Sequence, residues 1–344
     1  MENAAYELYS SLSANNEVTL VKWGGSNKLL PIVYCGLLAR ALWSGIRRKP
    51  DVIYLQDGMM APLGWIVKSI VRRPTVMTIH GLEATYQNPL YKLMVTPFIR
   101  KQTKLVAVSN ETKQKVERGI PGAEPLVIFN GLRDAFYKPG GRGEYLAVIA
   151  RDTGIPLEKL QQSKIIHTNG RLVRRKGVLW FVDNVMPLLD KSVLYLVSGE
   201  GKDEEAILAA IEKHGLQEQV KLLGWVSEKL LHTLYNTADI FLMPNVPVQN
   251  DMEGFGLVAL EAASCGTLVV ASELEGIKDA IINGQNGFLV QAGDANKYIE
   301  VVKRELNERS LSPELVRHYT LTHYSWDETA RQYQDLMKLV SGKR

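Results

Sequence analysis

The stretch EGFGLVALEAASCG, Glu253 to Gly266, sets two glutamates eight residues apart. The first is wedged against Gly254 and Gly256; the second, Glu261, lies inside an alanine- and leucine-rich run. Such a run, free of proline, predicts a helix over 255–265. Glycines just ahead of a helix let a ligand approach the backbone, where unpaired N–H groups and a partial positive charge wait. DIFLMPN (239–245) before it and TLVVAS (267–272) after it read as buried strands. Strand, helix and strand in that order are the repeating unit of a parallel sheet.

Working outward, the second half continues the alternation. SKIIHTNG (163–170), VLYLVSGEG (193–201), VKLLGW (220–225) and GFLV (287–290) read as further strands. Helices are expected near 176–190, 203–214, 227–236 and 294–308, and a last amphipathic one over 325–340. The first half alternates too. EVTLVKW (17–23), DVIYLQ (51–56), TVMTIH (75–80), KLVAVS (104–109) and PLVIFN (125–130) read as strands, with helices around 28–46, 60–71, 89–102 and 110–118. Residues 138–163 mix turn residues with a short apolar run and read as a linker. The fold class is therefore α/β, with two doubly wound domains: 1–150 and 151–325, followed by a helical segment 326–344. In such sheets ligands bind beyond the carboxyl ends of the strands, so a cleft between two of them is the expected site.

Composition narrows the field. The chain has 344 residues, 46% apolar and 23% charged, as expected of two ordinary globular domains. LLPIVYCGLLARALW (29–43) is the longest apolar run, is interrupted by Arg40, and falls short of the roughly 20 residues a spanning helix needs. Cys35 and Cys265 have no metal-ligand spacing, which fits a reducing, cytoplasmic setting with both thiols structural. Residues 1–150 hold 19 Lys/Arg against 11 Asp/Glu, a net of +8, and residues 151–344 hold 22 against 26, a net of −4. This asymmetry points the first half toward an anionic partner. No recognisable nucleic-acid module accompanies it, so nucleic acid is not the expected partner.

HTNGRLVRRKG (167–177) follows a strand and opens a helix. Gly170 permits a close turn, and Arg171 and Lys176 flank a helix start suited to a diphosphate. A solvated basic loop is the plain alternative. On a helix, residues eight apart are separated by about 12 Å. An extended nucleotide-sugar would span that distance, with Glu253 accepting from a sugar hydroxyl and Glu261 from a ribose hydroxyl. Acidic residues also favour helix starts for their own sake.

In order, the chain presents NGRLVRRKG, SGEG, LGWVSEKLLHTLYNTADIFLMPN, EGFGLVALEAASCGTLVVAS and NGQNGFLV. This series resembles the family-four retaining glycosyltransferases of the GT-B fold over nearly the whole chain. Its most specific elements are the two glutamates eight apart and the R-x4-K turn of Arg171 and Lys176. The resemblance implies two Rossmann-like domains facing a cleft, a terminal helix from Trp326 crossing back to the first, and transfer of a sugar from a nucleotide-sugar without metal or cofactor. It places Arg171 and Lys176 on the departing diphosphate, Glu253 on the donor sugar and Glu261 on the ribose. Gly170, Gly254, Phe255, Gly256, Leu257 and Val258 would line the donor, and His80, in TIHG, would reach its sugar from the first domain. Ser109 and Asn130–Gly131 match segments near cleft and hinge, with mainly structural roles. The implied donors are UDP- or GDP-hexoses. The acceptor stays open between a lipid-linked saccharide, a polysaccharide and a small alcohol; the +8 charge of the first half, rather than the resemblance, points to contact with an anionic membrane at its inner, cytoplasmic face. Asp251-Met252-Glu253 resembles a D-x-D metal site only superficially.

Two departures stand out. The family begins with a strand and a Gly-Gly loop ahead of the helix matched by ENAAYELYSSLS, so a chain shortened at its start is expected. SELEGIKDAI (272–281) carries Glu275-Gly276 where two glycines are common. Other classes remain open: a nucleotide-sugar-binding subunit without turnover, or a GT-B-like nucleotide-sugar epimerase. A dinucleotide dehydrogenase is disfavoured, because no strand leads into a full G-x-G-x-x-G.

Overall fold

The structure is a computed structural model that describes residues 2–22, 30–81, 86, 88–132, 136, 140–249 and 251–342. Met1, Trp23, residues 28–29 and residues 138–139, which flank expected elements, lie outside the described residues. The chain divides into two compact units, Met1–Gly131 with Trp326–Arg344, and Leu132–Ser325.

The first unit contains α1 (Glu2–Ser13), α2 (Leu30–Arg48), β1 (Ile53–Leu55), α3 (Ala61–Val71), β2 (Thr75–Ile79), α4 (Pro89–Met94), α5 (Thr96–Ile99), β3 (Lys104–Ala107), α6 (Asn110–Gly119) and β4 (Leu126–Val127). The strands are parallel in the order β1-β2-β3-β4. Every residue of β2 is buried, because the strand is covered on both faces. Its alternation sends Val76 into a core with Leu8, Leu12, Tyr333 and Leu336, and Met77 and Ile79 into another with Tyr91, Ile99 and Val116. The helix expected over 89–102 is broken at Val95 into α4 and α5. Ser109 caps α6, accepting from the Thr112 amide at 3.0 Å, which is a structural role.

Residues 17–22 are not a strand. No other strand pairs with them among the described residues, and Thr19 and Leu20 face solvent. Alternating side chains do not make a strand without a neighbour to take its backbone groups.

The second unit contains α7 (Arg142–Thr153), α8 (Leu157–Gln162), β5 (Lys164–Asn169), α9 (Val178–Asn184), β6 (Val193–Ser198), α10 (Glu204–Lys213), β7 (Val220–Gly224), α11 (Glu228–Thr237), β8 (Ile240–Met243), α12 (Leu257–Ser264), β9 (Leu268–Ser272), α13 (Ile277–Ala280), β10 (Gly287–Val290), α14 (Ala295–Asn307) and α15 (Pro313–Tyr324). Its parallel sheet has the order β10-β9-β8-β5-β6-β7. The order reverses between β5 and β8, which makes the carboxyl ends of those two strands the place for a ligand.

Two segments differ from expectation here. Residues 142–153 are a helix, not a linker: Leu146 and Ile149 pack on Ile165, Leu194 and Leu234, and Arg142 pairs with Asp239 at 3.0 Å. Residues 313–324, to which no element is assigned from the sequence, form α15. Ser312 caps it and Pro313 opens it.

The last helix, α16 (Trp326–Ser341), belongs to the first unit. Its Tyr333 hydroxyl meets Thr78 Oγ1 at 2.7 Å, and Thr329 donates to the Phe129 carbonyl at 3.1 Å. A Cβ on Gly131 would lie 2.6 Å from the Trp326 backbone, so only glycine fits where the chain passes the start of this helix. Among the described residues no helix is long and apolar enough to cross a membrane. Cys265 is buried, and burial raises its thiol pKa to about 12; Cys35 is exposed, contrary to a structural role.

Candidate active site

Loops at the carboxyl ends of β5, β6, β8 and β9 meet at the reversal of the second sheet. The turn after β5 begins at Gly170 and ends at Gly177, whose φ of 70° and contact with the Pro244 carbonyl admit no side chain. The Leu172 amide donates to the Glu200 carbonyl at 2.9 Å, and Val246 donates to the Arg175 carbonyl at 3.0 Å. The turn is thus fastened to the SGEG loop on one side and to the segment after β8 on the other.

Within this turn, residues 174–176 form one 3-10 turn that sends Arg175 inward. Its side chain is 5% exposed. Nη1 donates to Glu253 Oε2, and Nε donates to Asp251 Oδ1 at 3.0 Å. Lys176 Nζ donates to the same Glu253 oxygen at 2.6 Å, and Asn245 Nδ2 does so at 3.2 Å. Burial alone would raise the Glu253 pKa; the Lys176 and Arg175 charges outweigh it and hold the carboxyl below its ordinary value. Asp251 and Glu253 both turn to Arg175, and among the described residues no three His, Cys, Asp or Glu side chains form a metal-ligand group.

The structure therefore brings Lys176 to Glu253 but not Arg171. Arg171 is exposed and makes no ion pair among the described residues. Arg175 is the cation that sequence reasoning missed. The run Arg174-Arg175-Lys176 was its only signal, and nothing in the run says which member turns inward.

Glu253 itself precedes the helix. α12 starts at Leu257, with Gly256 at φ 86° as its cap and no side chain capping it. The helical spacing expected between the two glutamates therefore applies only from Leu257 onward. The 253–256 loop is tied to the β9 loop. The Glu253 amide donates to Glu275 Oε2 at 2.5 Å, and the Gly276 amide to the Glu253 carbonyl at 3.2 Å. A Cβ on Gly276 would fall 2.1 Å from the Gly254 carbonyl oxygen. Glu275 has a φ of 47°, a left-handed conformation that disfavours a side chain, and its bond to the Glu253 amide offsets that cost. Phe255 is buried beside Tyr324, so its side chain belongs to the core and only its backbone is available to a ligand. Leu257 and Val258 form the first turn of α12 and are half-buried.

Glu261 lies within α12, where its Oε2 accepts from the Tyr235 hydroxyl at 2.9 Å. Burial raises its pKa to about 7. His80 belongs to the first unit, at the end of β2 and ahead of Gly81, whose φ is 112°. It is half-buried, with Nε2 at 3.1 Å from the Gln56 carbonyl.

Comparison with known proteins agrees with this architecture. The family model described as Glycosyltransferase Family 4 matches residues 5–136, and the one described as Glycosyl transferases group 1 matches residues 163–308. An uncharacterized glycosyltransferase of Methanocaldococcus jannaschii is 26% identical over 305 residues, which span 85% of this chain and 76% of that protein. Among solved structures, a glycosyltransferase from Rickettsia africae superposes with a TM-score of 0.78 at 20% identity, over 98% of this chain and 94% of that one. Anabaena HepE, solved in complex with UDP-glucose, does so with a TM-score of 0.76 at 18% identity, over 98% and 95%. These two likenesses bear on the fold, which is GT-B with two Rossmann-like domains. Each half matches a model of glycosyltransferases, one described as Family 4 and the other as group 1, and the chain is a glycosyltransferase of the GT-B fold.

Proposed function

We propose that the chain is a retaining, metal-independent hexosyltransferase that moves a sugar from a UDP- or GDP-sugar to a glycan or lipid-linked acceptor. The observation that carries this reading is the contact of Lys176 and Arg175 with Glu253, beside the uncapped start of α12 at the sheet's reversal. As the sugar–phosphate bond breaks, negative charge grows on the diphosphate. Lys176, with exposed Arg171 nearby in sequence, supplies cations for it, and the Gly254–Val258 backbone supplies N–H groups. Glu253 accepts from a donor-sugar hydroxyl, Glu261 from a ribose hydroxyl, and His80 addresses the sugar from the first domain. The acceptor attacks on the face the leaving group vacates. The leaving phosphate oxygen takes its proton, so no side-chain base is required. HepE, with its bound UDP-glucose, supports a UDP-hexose as the first donor to try.

The test incubates the protein with UDP-glucose, UDP-galactose and GDP-mannose and with a mixed pool of lipid-linked and free glycan acceptors. Release of nucleoside diphosphate and a product that keeps the donor's anomeric configuration are expected. Inverted product would end the retaining reading. A protein that binds the donors but releases nothing would be a binding subunit.

The first unit supports a further part of the reading, contact with an anionic membrane. Residues 30–104 hold eleven Lys/Arg against three Asp/Glu, the entire net +8 of the first half. The same segment exposes Trp43, Ile46, Ile70, Leu90, Leu93 and Met94. Basic and apolar groups together suit a lipid surface, where each Lys or Arg contributes roughly 1 kcal/mol at low salt. The protein is expected to sediment with phosphatidylglycerol vesicles, less with phosphatidylcholine ones, and to be released by salt. Equally weak binding to both at low salt would remove this part of the proposal.

A further inference from the structure

Glu261 ends a chain of buried hydrogen bonds that crosses the second sheet. His167 Nε2 lies 3.0 Å from Ser198 Oγ, and Ser198 Oγ donates to Asn169 Oδ1 at 3.0 Å. Asn169 Nδ2 donates to the Tyr235 hydroxyl at 3.1 Å, and that hydroxyl donates to Glu261 Oε2 at 2.9 Å. His167, Ser198 and Tyr235 are fully buried. The rings are fixed as well: His167 packs against Tyr235 and Phe241 at centroid distances of 5.7 and 5.6 Å.

The direction of the chain follows from its end. Above its pKa of about 7 Glu261 is ionised and only accepts, so there the Tyr235 hydrogen is committed to Glu261 and its oxygen accepts from the Asn169 amide. That sets Asn169 Oδ1 toward Ser198, whose hydrogen goes to it, and Ser198 Oγ then accepts from His167 Nε2–H. Burial pushes the His167 pKa down to about 3, so the ring is neutral, with one hydrogen to give. Its Nδ1 has no hydrogen-bond partner, as suits the nitrogen without the hydrogen. Every donor therefore points toward Glu261, and each link polarises the next. Among the described residues no hydrogen bond reaches Glu261 Oε1, which leaves one carboxylate oxygen for a ligand.

We propose that Tyr235 is a positioning residue, backed by Asn169 and Ser198, that fixes Glu261 so that Oε1 accepts from the donor's ribose. The relay thereby sets the site's preference for ribonucleotides over nucleotides lacking the ribose hydroxyls. This rests on the reading of Glu261 as the ribose-binding acid. A core filled without this relay would need no polar group at Ser198 or Asn169, and burying such groups is costly unless they are joined.

The experiment measures affinity for UDP and 2′,3′-dideoxy-UDP, and for the guanosine pair, by titration calorimetry. Wild type is expected to prefer the ribonucleotide about tenfold or more, the scale of a hydrogen bond to a charged group. Glu261→Gln loses that preference, Tyr235→Phe loses most of it, and Ser198→Ala loses part, while binding of the dideoxy nucleotide stays near wild type in all three. A purely structural role would weaken both nucleotides alike. If Tyr235→Phe keeps the wild-type ratio while Glu261→Gln loses it, the relay is overturned and the reading of Glu261 stands. If Glu261→Gln also keeps the ratio, or wild type shows none, that reading fails and the relay fails with it. Should Tyr235→Phe not fold, the ratio in Ser198→Ala decides in the same way.

Discussion

Lys176→Ala lowers turnover at saturating donor about a hundredfold, while affinity for the nucleoside diphosphate falls far less. The difference arises because the diphosphate carries most of its new charge only as the sugar departs. A cation already in place stabilises that state more than the bound donor. A hundredfold corresponds to about 2.7 kcal/mol, the scale of one lost contact to a developing charge. Lys176 Nζ sits 2.6 Å from Glu253, and Arg175 and Asn245 hold the same carboxylate, so the ammonium can turn to a phosphate while the glutamate stays in place. For the same reason the variant should fold: Glu253 retains two partners. Lys176→Arg keeps the charge but not its compact placement and should recover only part of the rate. The measurement is single-turnover kinetics with UDP-glucose or the best donor found. An unchanged rate in Lys176→Ala removes the lysine from the diphosphate.

The second sheet is legible in the sequence because its central strands are buried on both faces, so runs such as IIHT, VLYLVS, IFLM and LVVAS are continuous and sharply bounded. Gly170 and Gly256 are legible as turn glycines, and both have positive φ; the carbonyls that leave no room for a side chain at Gly177 and Gly276 are seen only in the structure. What sequence could not supply depends on distance in space. EVTLVKW has the alternation of a strand, but pairing is settled by a neighbour, not by the run itself. Tyr235 sits among apolar residues of α11 and reads as core; only the fold brings its hydroxyl to Glu261, 26 residues on. The R-x4-K spacing singles out Arg171, whereas the 3-10 turn over 174–176 turns Arg175 inward. Glu275 reads as a departure from two glycines, and only the structure shows its carboxylate on the Glu253 amide.

Arg175→Met should destabilise the second unit by roughly 3 kcal/mol, the low end of what removing one partner of a buried ion pair costs. Two features set that scale. The Asp251 side chain is 45% exposed, so its bond to Arg175 contributes little. Glu253 is 15% exposed and keeps Lys176, which softens the loss without replacing the contact made by Arg175. For a unit of this size each kcal/mol lowers the melting temperature by about 2–4 °C, so a drop of roughly 10 °C is expected in calorimetry. The decisive comparison is Glu253→Gln alone and combined with Arg175→Met. A neutral glutamine needs no buried cation, so Arg175→Met should cost much less in the Glu253→Gln background than in wild type, a coupling of about 1–3 kcal/mol. Equal costs in the two backgrounds would mean that Arg175 stabilises the fold by packing alone. Activity separates the roles further. If Arg175 holds Glu253 ready for the donor sugar, then Arg175→Met at a temperature where it remains folded should bind UDP nearly as wild type does but bind UDP-glucose more weakly. The diphosphate and ribose contacts lie with other residues, and only the sugar depends on where Glu253 points.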